Sequence, residues 1–164
     1  MPRVNRWLEP GAIFHVMNRG VDRVDIFWDD DDRRVFLKIL EKVSVDFQCV
    51  ILAYCLMGNH FHLLLRDEEC SLSEMLRALS LKFVRHINLI HMRDGPLFRG
   101  RFKSVRVTTD EQLRSVIDYI HFNPLKDGFV QTARDWKWSS LRYYEEPDLM
   151  PDWMRRSTPS GAEE

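Results

Sequence analysis

The chain has 164 residues, of which 45% are hydrophobic and 30% are charged, a composition typical of a soluble globular protein. No apolar run approaches the roughly 20 residues of a membrane-spanning helix, and the first residues contain no signal-peptide hydrophobic segment. We therefore exclude a membrane protein and expect a cytoplasmic one. The length predicts a single domain over residues 1–156, and the polar residues 157–164 predict a disordered tail.

The three cysteines indicate a reducing environment. Cys49, Cys55 and Cys70 form no CxxC pair and are odd in number. This pattern predicts free thiols instead of a disulfide framework or a zinc knuckle.

Charge is unevenly distributed along the chain. The net charge of −1 does not by itself indicate a nucleic-acid partner. Between residues 77 and 106, however, eight basic residues and a single acid give a net charge of +7. Such a segment can form a basic face for phosphates. It can equally be a solvated helix face followed by a strand edge that Lys and Arg protect, and both explanations stay open at this point.

The first elements are predicted to be a strand and a helix. Residues 13–19 alternate between apolar and polar side chains, which predicts a strand that ends at Gly20. His15 lies on this strand, either as a structural residue or as a neighbour of other histidines. The acidic run at 29–32 precedes apolar residues at helical spacing. Because carboxylates stabilise the positive end of a helix dipole, we interpret the run as a helix start and not as a metal site.

Two histidines on one strand are the first candidate functional residues. The apolar run at 48–57 predicts a buried strand, and Gly58-Asn59 predicts a tight turn that brings the next strand back antiparallel. On that next strand, His60 and His62 face the same side, because strand side chains alternate. Two adjacent imidazoles can bind a metal ion, or they can be ordinary residues of a half-exposed face.

A helix with basic residues on its polar faces is predicted next. Ser71 and Glu74 form a capping-box pattern, which marks the helix start. The helix has a long apolar stripe, and its other faces carry Lys82 and Arg85. The sequence Asp-Gly-Pro at 94–96 ends it.

A basic strand is predicted after this helix. Residues 97–107, LFRGRFKSVRV, alternate so that Arg99, Arg101 and Lys103 lie on one face and two phenylalanines on the other. A strand with a basic row and nearby aromatic rings can follow a phosphate backbone and stack a base. The residues expected to contact DNA phosphates are Lys82, Arg85, Arg99, Arg101, Lys103 and Arg106.

The next helix carries a tyrosine and an asparagine on one flank. Thr109 and Gln112 form another capping-box pattern at its start. Pro124 disfavours helical geometry at Asn123, so the predicted helix ends there. At about 100° per residue, Tyr119 and Asn123 lie within about 40° of each other beside the apolar stripe. On these grounds alone, Tyr119 can also be a half-buried aromatic residue and Asn123 a simple helix stop.

The order of the predicted elements defines a fold. The sequence WKWSS at 136–140 starts a predicted helical segment that runs through Tyr144, with the tryptophans as packing residues. Before it, the order is strand, helix, strand, strand, helix, strand, which is the ferredoxin-like βαββαβ order. We therefore predict an α+β protein with an antiparallel sheet and additional C-terminal helices. Strands one and three are adjacent in this fold, which places His15 within reach of His60 and His62.

Five motifs in this order resemble those of one protein family. They are IFHV at 13–16, YCLMGNHFHLLL at 54–65, GPLFRGRFKS at 95–104, YIHFNP at 119–124 and WKWSS at 136–140. Together they closely resemble the single-tyrosine transposases of the His-hydrophobic-His nuclease superfamily, and especially the REP-associated tyrosine transposases. The resemblance covers most of the chain, although no single motif is decisive.

The resemblance implies an enzyme with a ferredoxin-like catalytic core. It implies a divalent metal ion, Mg²⁺ or Mn²⁺, on His60 and His62, and a nucleophile at Tyr119. Insertion-sequence relatives have a glutamine as a third metal ligand four residues after the tyrosine, where this chain has Asn123. Asparagine is one methylene shorter, and it is our first candidate for the third ligand. Two weaker candidates are His15 and His121.

The implied reaction is the cutting and rejoining of single-stranded or hairpin DNA. The Tyr119 oxygen attacks phosphorus, the 3′-oxygen leaves, and a 5′-phosphotyrosine link forms. This link keeps the bond energy, so rejoining needs no ATP. The expected partner is therefore DNA, and we expect the protein to act as a monomer or a homodimer.

Two other function classes remain open on the sequence. A DNA-repeat-binding protein can keep this fold without cutting, and metal-dependent nicking of a hairpin separates the enzyme from it. A metal-dependent phosphodiesterase can use water as its nucleophile. In that case no covalent protein–DNA adduct forms during cleavage.

Overall fold

The computed structural model describes residues 9–155, so the tail predicted at 157–164 lies outside the described residues. The strands are β1 (Ala12–Arg19), β2 (Cys49–Leu56), β3 (His60–Asp67) and β4 (Lys103–Val107). The α-helices are α1 (Asp30–Asp46), α2 (Leu72–Ile90), α3 (Asp110–Lys126), α4 (Leu141–Glu145) and α5 (Asp152–Arg155). None of these helices is long and apolar enough to cross a membrane.

The sheet has the strand order β2-β3-β1-β4, and each neighbouring pair is antiparallel. The α+β fold with an antiparallel ferredoxin-like sheet is therefore confirmed, with the first and third strands adjacent. In the register of β1 and β3, His15 lies opposite Leu64 and Met17 lies opposite His62. Cross-strand partners share a face of the sheet, so His15, Met17 and His62 all project from one face.

Different helices bury the two faces of the sheet. α1 and α2 pack on one face, where Val16, Leu63 and Phe83 belong to the main core. α3 packs on the other face, where Ile120 and Leu64 belong to a smaller second cluster. Leu64 shares a face with His15, so α3 is the helix that covers the histidine face.

Two predicted helix starts are confirmed. At the start of α1, the Asp29 carboxylate accepts a hydrogen bond of 2.9 Å from the Asp32 N–H. At the start of α3, Thr109 Oγ1 accepts a hydrogen bond of 3.1 Å from the Gln112 N–H. Each bond satisfies an N–H group that the helix itself leaves unpaired.

The capping box predicted at the start of α2 is wrong. The Ser71 side chain makes no capping hydrogen bond. Instead, the Asp67 carboxylate accepts hydrogen bonds of 2.9 Å from the N–H groups of Ser71 and Leu72. A carboxylate is a stronger acceptor than a hydroxyl, and it reaches back from the end of β3. The Ser71 hydroxyl instead donates to the Phe47 carbonyl.

The end predicted for α3 at Asn123 is also wrong, because the helix continues through Pro124 to Lys126. Proline lacks an N–H and so removes one helical hydrogen bond. The carbonyls of the proline and of the residue before it still find donors: Asn123 accepts from Asp127 at 3.0 Å and Pro124 accepts from Phe129 at 2.9 Å. One last helical turn therefore tolerates the proline, and it keeps Asn123 inside the helix.

The predicted basic strand at 97–107 is shorter than expected. Regular pairing covers only β4, and before it the chain makes an isolated bridge between Phe98 and Gly20. The Asn18 side chain donates a hydrogen bond of 3.2 Å to the Gly100 carbonyl. Glycine weakens a strand interior, and this side-chain hydrogen bond takes the place of a strand-to-strand bond. Residues 99–102 therefore form an irregular segment beside the sheet.

The WKWSS segment is not helical but forms turns around a single bridge from Ser139 to Cys55, and α4 begins only at Leu141. β2 is an edge strand, and its exposed backbone groups need partners. The Leu56 N–H donates to the Trp138 carbonyl at 2.8 Å, and the Ser140 N–H donates to the Tyr54 carbonyl at 3.0 Å. The segment thus covers the sheet edge, and its tryptophans pack against the two hydrophobic clusters as predicted.

The cysteine prediction is confirmed. Cys49, Cys55 and Cys70 are free thiols, and the first two are buried in the sheet. Burial raises the pKa of the Cys49 and Cys55 thiols to about 12, so both remain protonated packing residues at neutral pH.

Candidate active site and basic surface

The turn before β3 sets the position of the paired histidines. The Met57 N–H donates a hydrogen bond of 2.9 Å to the His60 carbonyl, which closes the predicted turn at Gly58-Asn59. β3 then runs back along β2, and alternation puts His60 and His62 on the face that α3 covers. His62 is buried, with 1% of its surface exposed, and His60 is half-buried.

His15 joins this pair from the neighbouring strand. Its Nε2 lies 3.0 Å from Nδ1 of His62. The two rings are stacked, with centroids 5.2 Å apart. The pairing of β1 with β3 therefore brings together histidines that are 47 residues apart in the chain.

Tyr119 lies over the same histidines. Its ring is edge-on to His62 at a centroid distance of 5.5 Å, and its centroid lies 5.9 Å from that of His15. The tyrosine is 43% exposed, so its ring contacts the buried histidines and also reaches solvent. Lys126 Nζ lies 5.5 Å from the centroid of the tyrosine ring. α3 thus presents an accessible phenol beside two imidazoles and a positive charge.

Asn123 lies on the same side of α3, one turn after Tyr119. It is buried, and its Nδ2 lies 3.5 Å from Nε2 of His62. Its Oδ1 is buried and has no hydrogen-bond partner among the described residues. An unpaired buried oxygen is costly. Beside two imidazoles, it forms a donor set of two nitrogens and one oxygen that suits a divalent metal ion.

The three histidines on this face are neutral at neutral pH. Burial, with smaller contributions from the neighbouring His60 and His15, lowers the pKa of His62 to about 3. Burial also lowers the pKa of His15. For His60, burial lowers the pKa, and the nearby Asn123 amide partly offsets this effect. Neutral imidazoles are the form that binds metal ions.

The structure does not bring His121 to this face. At about 100° per residue it lies about 200° around the helix from Tyr119. Its Nε2 lies 2.8 Å from Ser140 Oγ, and its ring is edge-on to Tyr144 at 4.8 Å. His121 therefore packs α3 against the C-terminal segment. Of the two weaker candidates for the third ligand, only His15 lies at the histidine pair.

Part of the predicted basic set borders the histidine face. Lys103 lies opposite Met17, which is itself the cross-strand partner of His62, so all three share a face. Arg99 and Arg101 are exposed in the irregular segment just before β4. The Arg99 N–H donates a hydrogen bond of 3.0 Å to the Arg19 carbonyl, which holds this segment beside the end of β1.

The rest of the predicted basic set lies elsewhere. Arg106 lies opposite Phe14, on the face that packs against α1 and α2, and its guanidinium pairs with Glu9. Lys82 and Arg85 are exposed on α2, in the layer on the other side of the sheet from α3. The structure thus places Lys82, Arg85 and Arg106 on the other side of the sheet from Lys103.

Sequence reasoning missed several residues around the site. Asn59 Oδ1 lies 2.6 Å from Nδ1 of His60, and Lys126 lies beside Tyr119. Because Asn59 directly precedes His60 in the turn, the sequence could have predicted this contact. A separate group formed by Asp29, Asp32 and His91 also has the spacing of metal ligands. No sequence signal joins the start of α1 to the end of α2.

A tyrosine on α3 and two histidines on β3 thus lie together on one face of a ferredoxin-like sheet, and a match to a family model identifies the family of the chain. The family model described as "Transposase IS200 like" matches residues 10–123. The chain therefore belongs to the IS200-like transposase family, and its resemblance to the REP-associated tyrosine transposases is confirmed.

Relatives by sequence point to one branch of this family. The REP-associated tyrosine transposase of Escherichia coli is 26% identical over 115 residues, which are 68% of this chain and 67% of that protein. A Haemophilus influenzae protein assigned to the same branch is 29% identical over 113 residues, which are 62% of this chain and 64% of that protein. The match thus spans less than two thirds of the Haemophilus protein.

Solved structures share the fold. A REP-associated tyrosine transposase bound to a REP hairpin superposes with a TM-score of 0.76 and 21% identity, over 92% of this chain and 89% of that chain. A candidate transposase from Deinococcus radiodurans has a TM-score of 0.52 and 16% identity, over 72% of this chain and 95% of that chain. At these identities the two structures establish the fold.

Proposed function

We propose that this protein cuts and rejoins single-stranded or hairpin DNA, with Tyr119 as the nucleophile. The observation that carries the proposal is the position of the Tyr119 ring, 5.5 Å from the ring of the buried His62 and 43% exposed. A nucleophile needs both features, because it has to reach substrate and stay beside the groups that stabilise charge. The family of the chain supports a reaction on DNA.

The residues that would hold a divalent metal ion are His60, His62 and Asn123. Their neutral imidazoles and the unpaired buried Asn123 oxygen support this assignment. A bound Mg²⁺ or Mn²⁺ supplies polarisation of the phosphoryl oxygens. Two imidazoles and one amide oxygen form a weak set for such hard cations, so we expect DNA oxygens and water to complete the coordination.

Tyr119 forms the covalent link in the proposed reaction. Its Oη attacks phosphorus, the bond from phosphorus to the 3′-oxygen breaks, and a 5′-phosphotyrosine and a free 3′-OH result. The phenol gives its proton to water and the leaving 3′-oxygen takes one up from water, while Lys126 Nζ, 5.5 Å from the ring centroid, stabilises the negative charge that develops. In the reverse step a 3′-OH attacks the phosphotyrosine, so the strand is rejoined without ATP.

The exposed basic residues beside the site would hold the DNA strand. Lys103 lies on the histidine face, and Arg99 and Arg101 lie in the irregular segment that leads into β4 beside the end of β1. Their charges suit a phosphate backbone. A structural neighbour was solved bound to a REP hairpin, which supports a hairpin as the first substrate to test.

The test is an adduct assay on a denaturing gel. The wild-type protein is incubated with Mn²⁺ and single-stranded hairpin DNA taken from beside its own gene. We expect a slower-migrating protein–DNA adduct that forms with wild type, and with Tyr143→Phe as the matched control, but not with Tyr119→Phe. Cleavage without any adduct would indicate water as the nucleophile, and binding without cleavage would indicate a repeat-binding protein. Either result contradicts the proposal.

A further inference from the structure

A second cluster of metal-ligand side chains joins the start of α1 to the end of α2, on the other side of the sheet from Tyr119. One ligand atom each from Asp29, Asp32 and His91 lies within 4.8 Å of the others. Nε2 of His91 is 2.7 Å from Oδ2 of Asp32, and Nε2 of His86 is 3.5 Å from Oδ1 of Asp32. Two imidazoles therefore meet the two oxygens of one carboxylate.

Burial makes this arrangement chemically unusual. Asp32 is only 1% exposed, and a buried carboxylate is costly unless its charge is balanced and its oxygens are hydrogen bonded. The Trp28 N–H donates to Oδ2 at 2.9 Å. Nε2 of His86, in contrast, is buried and has no hydrogen-bond partner among the described residues. A nitrogen donor is thus directed at a carboxylate without a bond that satisfies it.

The ligand atoms of Asp29, Asp32 and His91, all within 4.8 Å of one another, are close enough for one ion to bind them after small side-chain movements. Zn²⁺ binds His nitrogen and carboxylate oxygen at about 2.0–2.2 Å, which places its ligand atoms about 3.4 Å from each other. The 3.5 Å between His86 Nε2 and Asp32 Oδ1 already has this value. The 2.7 Å between His91 Nε2 and Asp32 Oδ2 is the length of a hydrogen bond. We expect this distance to increase when a cation replaces the hydrogen-bonded proton.

We propose that Asp29, Asp32 and His91 form a second divalent-cation site that takes Zn²⁺, with His86, 3.5 Å from Asp32, as the fourth ligand once its ring moves toward the ion. Its two carboxylates balance the charge of the ion, and imidazole with carboxylate is a ligand set that Zn²⁺ accepts. The acidic run at 29–32 thus has a role beyond the helix start that its sequence indicates, because α2 brings two histidines to it.

The proposed ion has a structural role. It ties the first turn of α1 to the last turn of α2 and to the residue that follows. It also fixes the His91 ring, on which the exposed Trp28 stacks with centroids 4.6 Å apart. The chain that leads from α2 to the irregular segment at 99–102 begins directly after His91.

The experiment uses a background without the histidine pair. In His60→Ala/His62→Ala, titration calorimetry with ZnCl₂ should find one Zn²⁺ per chain, and Zn²⁺ should raise the Tm. Adding His91→Ala should weaken binding by at least about tenfold, the lower end of what even an outer-shell change costs, and should remove the Tm increase. The result does not depend on the proposed DNA chemistry, because the background already lacks the paired histidines.

The matched control is Asp31→Asn in the same background. Asp31 is a neighbouring acid that is exposed and pairs with Arg34, outside the cluster. Its loss should leave Zn²⁺ affinity unchanged. If His91→Ala does not fold, His86→Gln replaces it with the same expected loss. The proposal is overturned if the His60→Ala/His62→Ala protein binds no Zn²⁺. It is also overturned if Zn²⁺ affinity is the same with and without the cluster histidines.

Discussion

Nε2 of His15 lies 3.0 Å from Nδ1 of His62, so one proton lies between the two rings. Both imidazoles are neutral, because burial lowers the pKa of each. If His62 binds a metal ion through Nε2, its Nδ1 carries the proton and donates it to His15. An outer partner of this kind fixes the tautomer and the orientation of a ligating histidine.

His15 is therefore expected to be a positioning residue. His15→Leu removes the acceptor and should lower the affinity for Mn²⁺, measured calorimetrically with DNA present, by about 10–100-fold. His15→Gln keeps an acceptor at this position and should lose less. Equal affinities for wild type and His15→Leu would remove His15 from the site.

Asn123 is the expected third metal ligand. Asn123→Ala removes the unpaired buried oxygen and should weaken Mn²⁺ binding at least about tenfold. Even the loss of a residue that only hydrogen bonds to a metal ligand has an effect of this size. His121→Gln, two residues earlier on α3, is the control, because His121 faces Ser140 instead. An Asn123→Ala protein that binds Mn²⁺ as wild type does would leave only the two histidines as ligands.

The basic edge beside the histidine face is expected to contact DNA phosphates. Each contact to a single strand contributes about −0.7 to the slope of log K against log salt. Arg101→Ser/Lys103→Ser should therefore flatten that slope by about 1.4, measured by fluorescence anisotropy on a hairpin. Lys82→Ser/Arg85→Ser, on the opposite layer, should change it less. If the second double variant has the larger effect, the binding face lies on α2.

His121 should make the fold sensitive to acid. Burial lowers its pKa to about 4 in the folded protein, against an ordinary value of 6.5. The unfolded chain then binds the proton first, so this contribution to stability is complete above pH 6.5 and is lost as the pH falls toward 4. Between pH 7 and pH 4.5, urea unfolding should show that wild type loses about 2–3 kcal/mol more stability than His121→Gln, which keeps the losses from the other buried histidines. Equal losses in the two proteins would contradict this assignment.

The sequence predicted the sheet well because alternation and turn chemistry are local. Residues 13–19, the turn at Gly58-Asn59 and the histidine strand all follow from side-chain patterns within a few residues. From these elements the βαββαβ order gives the adjacency of β1 and β3, and so the approach of His15 to His62.

The remaining features depend on contacts between distant segments. The carboxylate that caps α2 comes from Asp67 on the preceding strand, and the WKWSS segment is not helical because it supplies partners to the edge of β2. α3 passes through Pro124 because Asp127 and Phe129 supply donors to the carbonyls around it. Local propensity carries no information about these distant partners. It therefore predicted a serine cap for α2, a helix at WKWSS and the end of α3 at Asn123.

The central claim is that Tyr119 forms the covalent link to DNA. The most direct measurement is mass spectrometry of the wild-type adduct after nuclease and trypsin digestion. Trypsin releases residues 115–126, SVIDYIHFNPLK, which contain Tyr119 and no other tyrosine, and it places Tyr143 and Tyr144 in a different peptide. We predict a nucleotide on Tyr119 in the 115–126 peptide. A nucleotide on Tyr143 or Tyr144, or an adduct that persists in Tyr119→Phe, would contradict the account.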